Sequence, residues 1–221
     1  AKIKKLKRIR YTSPHPQDIT KDLLNVMSRY DNICNYIHLP MQAGSNKILK
    51  RMNRTYTREH FIELVETIRE IIPNVGLSTD IIVGFPGETN QDFKDTLNLM
   101  KEVKFDSAFN FKYSSRPGTK ASEYEDQVDE KVKQLRLQKV IDLQKLHTLE
   151  LNKKLVGSTQ KVLVEKESKL SSDQWAGRTD SNKWVIFNKN GSSINNIVEV
   201  KIEKAKGITL HGKILRKMEA A

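Results

Sequence analysis

Four short segments of this 221-residue chain gather side chains able to bind or react, and each follows a short strand-like run. They are Ser13-Pro14-His15-Pro16, Pro40-Met41-Gln42-Ala43-Gly44-Ser45, Gly84-Phe85-Pro86-Gly87-Glu88 and Ser114-Ser115-Arg116-Pro117-Gly118-Thr119. Ser13, Gln42 and Ser45 offer hydroxyl and amide groups, which recognise a nucleoside without adding charge. Ser45 is equally suited to capping the helix that follows it. Gly84 and Gly87 let a backbone approach a ligand closely, and Glu88 can bind a ribose or an amino group. The competing reading is a helix-start turn, with Glu88 favoured by the helix dipole. Arg116 has the planar fork that pairs bidentately with a carboxylate or phosphate, and Tyr113 before it can stack or hydrogen-bond. Asp80 stands inside an otherwise apolar run, where a carboxylate needs a partner. It therefore faces a ligand inward or belongs to a structural ion pair. His15 reads as a solvated loop histidine and His38 as a satisfied histidine of a strand.

The elements that must carry these segments follow from periodicity. Arg8 to Thr12, Tyr36 to Leu39, Leu77 to Val83 and Ala108 to Tyr113 read as short strands. Between them, Ile19, Leu23, Val26, Met27 and Tyr30 recur at helical spacing behind Asp18 as a cap. Phe61, Leu64, Val65, Ile68 and Ile72 mark a second long helix, after a short one around Ile48, Leu49 and Met52. Thr89 with Asp92 has the spacing of a capping box ahead of the stripe Phe93, Leu97, Met100 and Val103. A long charged helix, Asp129 to Lys154, is expected to turn Val132, Leu135, Leu143, Leu146 and Leu149 inward. Strands alternating with helices imply a parallel sheet with helical crossovers, so the four segments above lie at one strand-end rim. Four strands are too few to close a barrel, so the α/β part is a partial (βα) barrel.

After Leu155 the pattern changes to five short strands, with Asn190-Gly191 as a hairpin signal between two of them. A small five-stranded OB-like β-barrel is expected over 155–221, after a first domain over 1–154. Lys161, Lys166, Lys169, Arg178 and Lys183 punctuate its first strands together with Trp175 and Trp184. Basic side chains among aromatics suit RNA phosphates and unstacked bases, whereas Trp184, beside Val185-Ile186-Phe187, reads as a core residue.

Composition narrows the partners. A net charge of +12 favours a polyanion, because neutralising phosphates releases condensed counterions. No run approaches eighteen apolar residues, so no membrane partner is expected, and the basic start Ala1 to Arg8 has no signal-peptide pattern. Cytoplasmic location is the expectation. The one cysteine, Cys34, excludes a disulfide framework and an all-cysteine metal site within this chain, and reads as a small buried residue.

In order and at matching spacing, the chain resembles the methylthiotransferases of the radical-SAM superfamily, specifically their tRNA-modifying branch. The resemblance rests on Arg10 to Pro16, His38 to Ser45, Arg51-Met52-Asn53-Arg54-Thr55-Tyr56-Thr57, Ser78 to Thr89 and Tyr113 to Ala121. The tail is similar to the family's TRAM domain through Val162 to Glu165, Ser168-Lys169, Gly177 to Asp180 and Asn182. Lys166-Glu167 stands where that family often has Gly-Pro before Ser-Lys. The Ser-x-Arg-Pro-Gly-Thr pattern at Ser114 to Thr119 is that of the tRNA enzymes rather than the branch acting on a ribosomal-protein aspartate.

The resemblance implies S-adenosylmethionine as cofactor, held by Ser13, Gln42, Asp80, Gly84, Glu88, Tyr113 and Arg116. It implies methylthiolation at C2 of an N6-isopentenyl-adenosine beside the anticodon, with the anticodon stem-loop of tRNA gripped by the basic residues of the TRAM barrel. It also implies two [4Fe–4S] clusters in the complete enzyme. Neither cysteine set is present here, so the cluster-bearing N-terminal part is expected as a partner and this chain alone is expected to be inactive. A ribosomal-protein methylthiotransferase and a cluster-free RNA-binding protein are the alternatives.

Overall fold

The computed structural model describes residues 1–221 except Lys4, 12–14, Leu170 and Ala221, and from 217 to 220 the backbone alone. Its first unit is a three-stranded parallel sheet of β1 (Tyr36–His38), β2 (Gly76–Val83) and β3 (Ser107–Lys112), in that order. The register sets Ile37 opposite Leu77 and Asp80 opposite Phe109. The helices α1 (Lys21–Arg29), α2 (Asn46–Arg51), α3 (Arg58–Ile71) and α4 (Asn90–Val103) bury Leu24, Met27, Phe61, Val65, Ile68, Leu99 and Met100 in one core with Ile37, Leu77 and Ile81. Cys34 is buried too.

Two local expectations shift. The residue capping α1 is Thr20, whose hydroxyl accepts from Leu23 N at 3.2 Å, while Asp18 closes a preceding 3-10 turn that begins at Pro16. Of the expected strand over Arg8 to Thr12, the described residues form one isolated parallel bridge, Ile9 to Ile33. Its alternating arginines are drawn elsewhere. Arg8 reaches Asp180 at 2.6 Å and the Arg178 carbonyl at 2.8 Å, and Arg10 reaches the Thr179 carbonyl at 2.8 Å.

The long helix α5 (Glu130–Lys153) corrects part of the expected inward face: Leu143 packs against the core and Val132 and Leu149 are half-buried, but polar residues hold the most buried positions. Its buried stripe is Lys133, Arg136, Val140, Gln144, His147, Thr148 and Asn152, whereas Leu135 and Leu146 are 64% and 52% exposed. The cause is hydrogen bonding. The helix lies over strand ends and loops whose carbonyls need donors once buried. Gln144 Nε2 donates to Phe105 O at 2.8 Å, and Thr148 Oγ1 donates to Asp106 O at 2.8 Å. Leucine in those places would bury the same carbonyls unpaired.

The second unit is a closed barrel of β4 (Thr159–Ser168), β5 (Ser171–Thr179), β6 (Trp184–Asn188), β7 (Asn196–Lys206) and β8 (Thr209–Ala220), ordered β4-β5-β6-β8-β7. Val162, Val164, Trp175, Val185, Phe187, Val198, Val200, Ile202 and Leu210 fill it. Asn190 and Gly191 do turn the chain with positive φ, but they join β6 to β7, which are not neighbours in the barrel. That connection is therefore not a hairpin. Lys166 and Glu167 are ladder residues opposite Ala176 and Trp175, beside a register shift after Val164. Gly177 is needed at its crossing, since a Cβ there would lie 2.2 Å from Leu163 O.

The polar buried face of α5 is testable by unfolding. Leu135→Gln and Leu146→Gln should each change stability by less than about 0.5 kcal/mol, while Val140→Ala should cost on the order of 1–3 kcal/mol. Urea midpoints of the three variants decide it, and a large loss in either glutamine variant would restore the leucine-inward face.

Candidate active site and nucleic-acid interface

One carboxylate fixes the geometry of two of the strand-end loops. Asp92, in the first turn of α4, accepts from Ser45 Oγ at 2.6 Å, from Thr89 N at 2.9 Å and from Thr89 Oγ1 at 2.6 Å, with Lys47 Nζ at 3.3 Å. The capping box expected for Thr89 and Asp92 is formed, and Ser45 is spent on Asp92 instead of capping α2. Burial pushes the Asp92 carboxyl up, but the hydrogen bonds from Ser45 and Thr89 outweigh it and hold the group down at about 2. Gly44 N donates to Thr96 Oγ1 at 3.0 Å, which draws the first loop onto the same helix.

With the loops so anchored, a cavity of about 990 Å³ opens at the carboxyl end of the sheet. Gln42, Asp80, Tyr113 and Arg116 all line it, together with Ile82, Phe85 and Phe111. Gln42 enters with φ of 60°, its backbone bridging Asp80 O at 2.9 Å and Ile82 N at 2.9 Å. The Tyr113 ring meets Phe85 edge-on at 5.1 Å, and its buried hydroxyl has no partner among the described residues. Lys50, Arg51, Arg54, Lys112, Arg116 and Lys120 also line the cavity, against Asp80 as the acidic residue of the lining. The positive wall was readable in Lys50-Arg51-x-x-Arg54, three cations on one turn, but sequence reasoning had assigned them no role.

Other expected site residues lie elsewhere. Glu88 does not line the cavity. It is 5% exposed, and its Oε1 accepts from Gly84 N at 2.9 Å and from Arg136 at 2.7 Å. The close approach that Gly84 permits is made by Lys133, whose Cγ would stand 2.4 Å from an added Cβ. Ser13 lies outside the described residues. Asp80 has a partner, His38 Nε2 at 3.3 Å, and His38 Nδ1 meets Ser78 Oγ at 2.7 Å, which also meets Tyr36 Oη at 2.6 Å. This relay runs across the inner face of the sheet, and sequence reasoning had missed Ser78 and Tyr36.

On the barrel, the two tryptophans exchange their expected roles. Trp175 is core, its Nε1 donating to Ser192 O at 3.1 Å. Trp184 is half-buried, with Lys166 Nζ 4.7 Å and the Arg178 guanidinium 4.4 Å from its ring centre. Lys161, Lys166 and Lys169 are exposed. Lys183 is not free, being ion-paired with Asp106 and bonded to Asn152 Oδ1 at 3.1 Å.

The Asp92 anchor carries a pH signature. A carboxylate held below its ordinary value adds stability that is present above about pH 4 and lost as pH falls through about 2. Asp92→Asn should therefore cost about 1–2 kcal/mol at pH 7, with the deficit shrinking toward zero as pH approaches 2. Urea unfolding of both proteins across that range reads it, and an unchanged deficit at low pH would exclude the ionised carboxylate as the anchor.

Known proteins are similar to this chain. The Radical SAM superfamily model matches residues 1–100, and the TRAM domain model matches residues 153–215. The tRNA-2-methylthio-N(6)-dimethylallyladenosine synthase of Carboxydothermus hydrogenoformans is 51% identical over 211 residues, covering 96% of this chain and 48% of that protein. The synthase of the same name from Christiangramia forsetii is 47% identical over 206 residues, covering 93% and 43%. The chain thus spans about half the length of the curated relatives it matches. Among solved structures, coproporphyrinogen III oxidase of Escherichia coli, described as a radical SAM enzyme, superposes with a TM-score of 0.52 at 18% identity. That match covers 76% of this chain and 45% of that one, and shows the fold alone. The chain thus contains a Radical SAM segment and a TRAM segment, and over nearly its whole length it is similar to these tRNA methylthiotransferases.

Proposed function

We propose that this chain is the part of a tRNA methylthiotransferase that holds S-adenosylmethionine at its strand-end loops and grips the anticodon stem-loop with its barrel. In this reading 1–154 is the cofactor unit and 155–221 the RNA unit, acting in the cytoplasm on C2 of an N6-isopentenyl-adenosine. The supporting observation is the convergence of Gln42, Asp80, Tyr113 and Arg116, from two strand-end loops and the strand between them, on one cavity.

The donor set suits a molecule that carries a carboxylate, an ammonium and an adenosine together. Arg116 offers its fork to the carboxylate, and Asp80 offers its oxygens to the ammonium. The buried Tyr113 hydroxyl, unpartnered among the described residues, calls for a polar ligand atom. Phe85 and Phe111 supply apolar surface for an adenine. The chemistry that S-adenosylmethionine supplies when bound is a transferable methyl group and a cleavable sulfonium bond.

An iron–sulfur cluster does not fit this chain. Cys34 is its one cysteine, buried beside Arg8 and Arg10, and no trio of His, Cys, Asp or Glu among the described residues is placed for a metal ion. The ligands would come from residues outside this chain.

The barrel's part in this reading is electrostatic. Titrating the chain with an anticodon stem-loop RNA at 50 and 200 mM salt should show affinity falling steeply. Lys161→Glu, Lys166→Glu and Lys169→Glu should each weaken binding and flatten the slope of log K against log salt by about 0.7–1. RNA affinity that is absent at moderate salt would sink the reading and favour a protein substrate.

A further inference from the structure

A second cavity, of about 490 Å³, lies between the sheet unit and the barrel. Its walls come from both: Phe109 and Asn110 from β3, Gln144 and Thr148 from α5, Arg178 and Trp184 from the barrel. Nothing in the cofactor reading uses it.

Its lining contains unmet hydrogen-bonding demand. Gln144 is 5% exposed, and its Nε2 donates to Phe105 O at 2.8 Å and to Thr148 Oγ1 at 3.0 Å. A backbone carbonyl only accepts, so the amide cannot be flipped and Oε1 is the acceptor end. That oxygen is buried with no partner, and so is Asn110 Oδ1 on the facing strand. Two buried acceptors without donors cost free energy unless something entering the cavity donates to them. An anion is excluded from that part of the wall, because it would meet two carbonyl oxygens. A group carrying N–H donors on a flat apolar body is favoured.

The rest of the lining fits such a body. The Phe109 ring is 58% exposed, and Trp184 is held in place by the cations of Lys166 and Arg178. Aromatic faces and guanidinium planes both stack on unstacked bases. Lys145 also lines the cavity and can meet a phosphate attached to what fills it.

We propose that this cavity receives one unstacked nucleobase of the bound RNA, with its exocyclic amino group donating to Asn110 and Gln144 and its face against Trp184 or Phe109. The inference rests on the reading of the barrel as an RNA grip and assigns that grip a specific pocket. An adenine, cytosine or guanine carries the needed amino group, and a uracil does not.

The test uses the full chain and an anticodon stem-loop RNA in which each loop position in turn is made abasic. One position should show an affinity loss of about tenfold in the unsubstituted protein. In Asn110→Ala the intact RNA should bind that much more weakly and the same abasic site should cause no further loss. Phe109→Ser provides a second variant at an exposed side chain, and unfolding midpoints check that both variants fold. If the stem-loop binds but every abasic penalty is identical in all three proteins, the cavity holds water only and the inference fails alone. If the stem-loop does not bind the unsubstituted chain, the RNA reading fails and takes the inference with it.

Discussion

The strand-end rim depends on one ion pair taken out of water. Arg136 Nη1 stands 2.7 Å from Glu88 Oε1 and also reaches the Glu88 carbonyl at 3.0 Å, while Nη2 reaches Asn90 Oδ1 at 3.0 Å. Burial alone pushes the Glu88 carboxyl up, and the Gly84 N–H and the guanidinium work against it. Such a pair adds little net stability compared with apolar packing, but removing either partner strands the other. What it supplies is position. It clamps the turn from Gly84 to Glu88 between β2 and α4, and that turn sets Phe85 against Tyr113 in the cavity wall. A carboxylate at the rim thus acts on the strand-end cavity through the shape of its loop.

The same helix that carries Arg136 ties the two units together. Its buried polar stripe begins at Lys133 beside Gly84 and ends at Asn152, which bonds Gly207 O at 3.4 Å and Lys183 at 3.1 Å. Lys183 also pairs with Asp106 at the start of β3. At the other side Arg8 and Arg10 hold Asp180, Glu165 and the carbonyls of Arg178 and Thr179. The Arg8 side chain is 8% exposed and that of Asp180 39%, so solvent screens the pair from one side only. Contacts spread over three elements resist hinge motion between sheet and barrel, so the barrel presents Trp184 at a fixed place relative to β3.

How much of this was legible follows the range of the interactions. The capping box at Thr89 and Asp92 was readable because both partners lie within one turn. The parallel strands and the five-stranded barrel were readable because burial imposes a period on neighbouring residues. The inward face of α5 was not. Its partners are carbonyls at Phe105 and Asp106, distant in sequence, and they select amides and hydroxyls where the hydrophobic pattern selects leucines. Glu88 looked like a ligand-binding residue because its neutraliser lies 48 positions away. Trp184 looked like core because its neighbours are core, yet Lys166 on a different strand lies against its ring. Of the expected site residues among those described, the ones brought together at the cavity have no strong internal claim upon their side chains, or only a weak one such as that of His38 on Asp80.

The two cavities share a floor, and the register fixes their spacing. Along β3, Phe109 lines the junction cavity and Phe111 the strand-end cavity, with Asp80 and Ile82 opposite them on β2. Residues two apart on a strand point to one face and lie about 7 Å apart. Because α5 and the Arg8–Arg10 clasp hold the barrel against that floor, whatever occupies one cavity is fixed in place relative to the other.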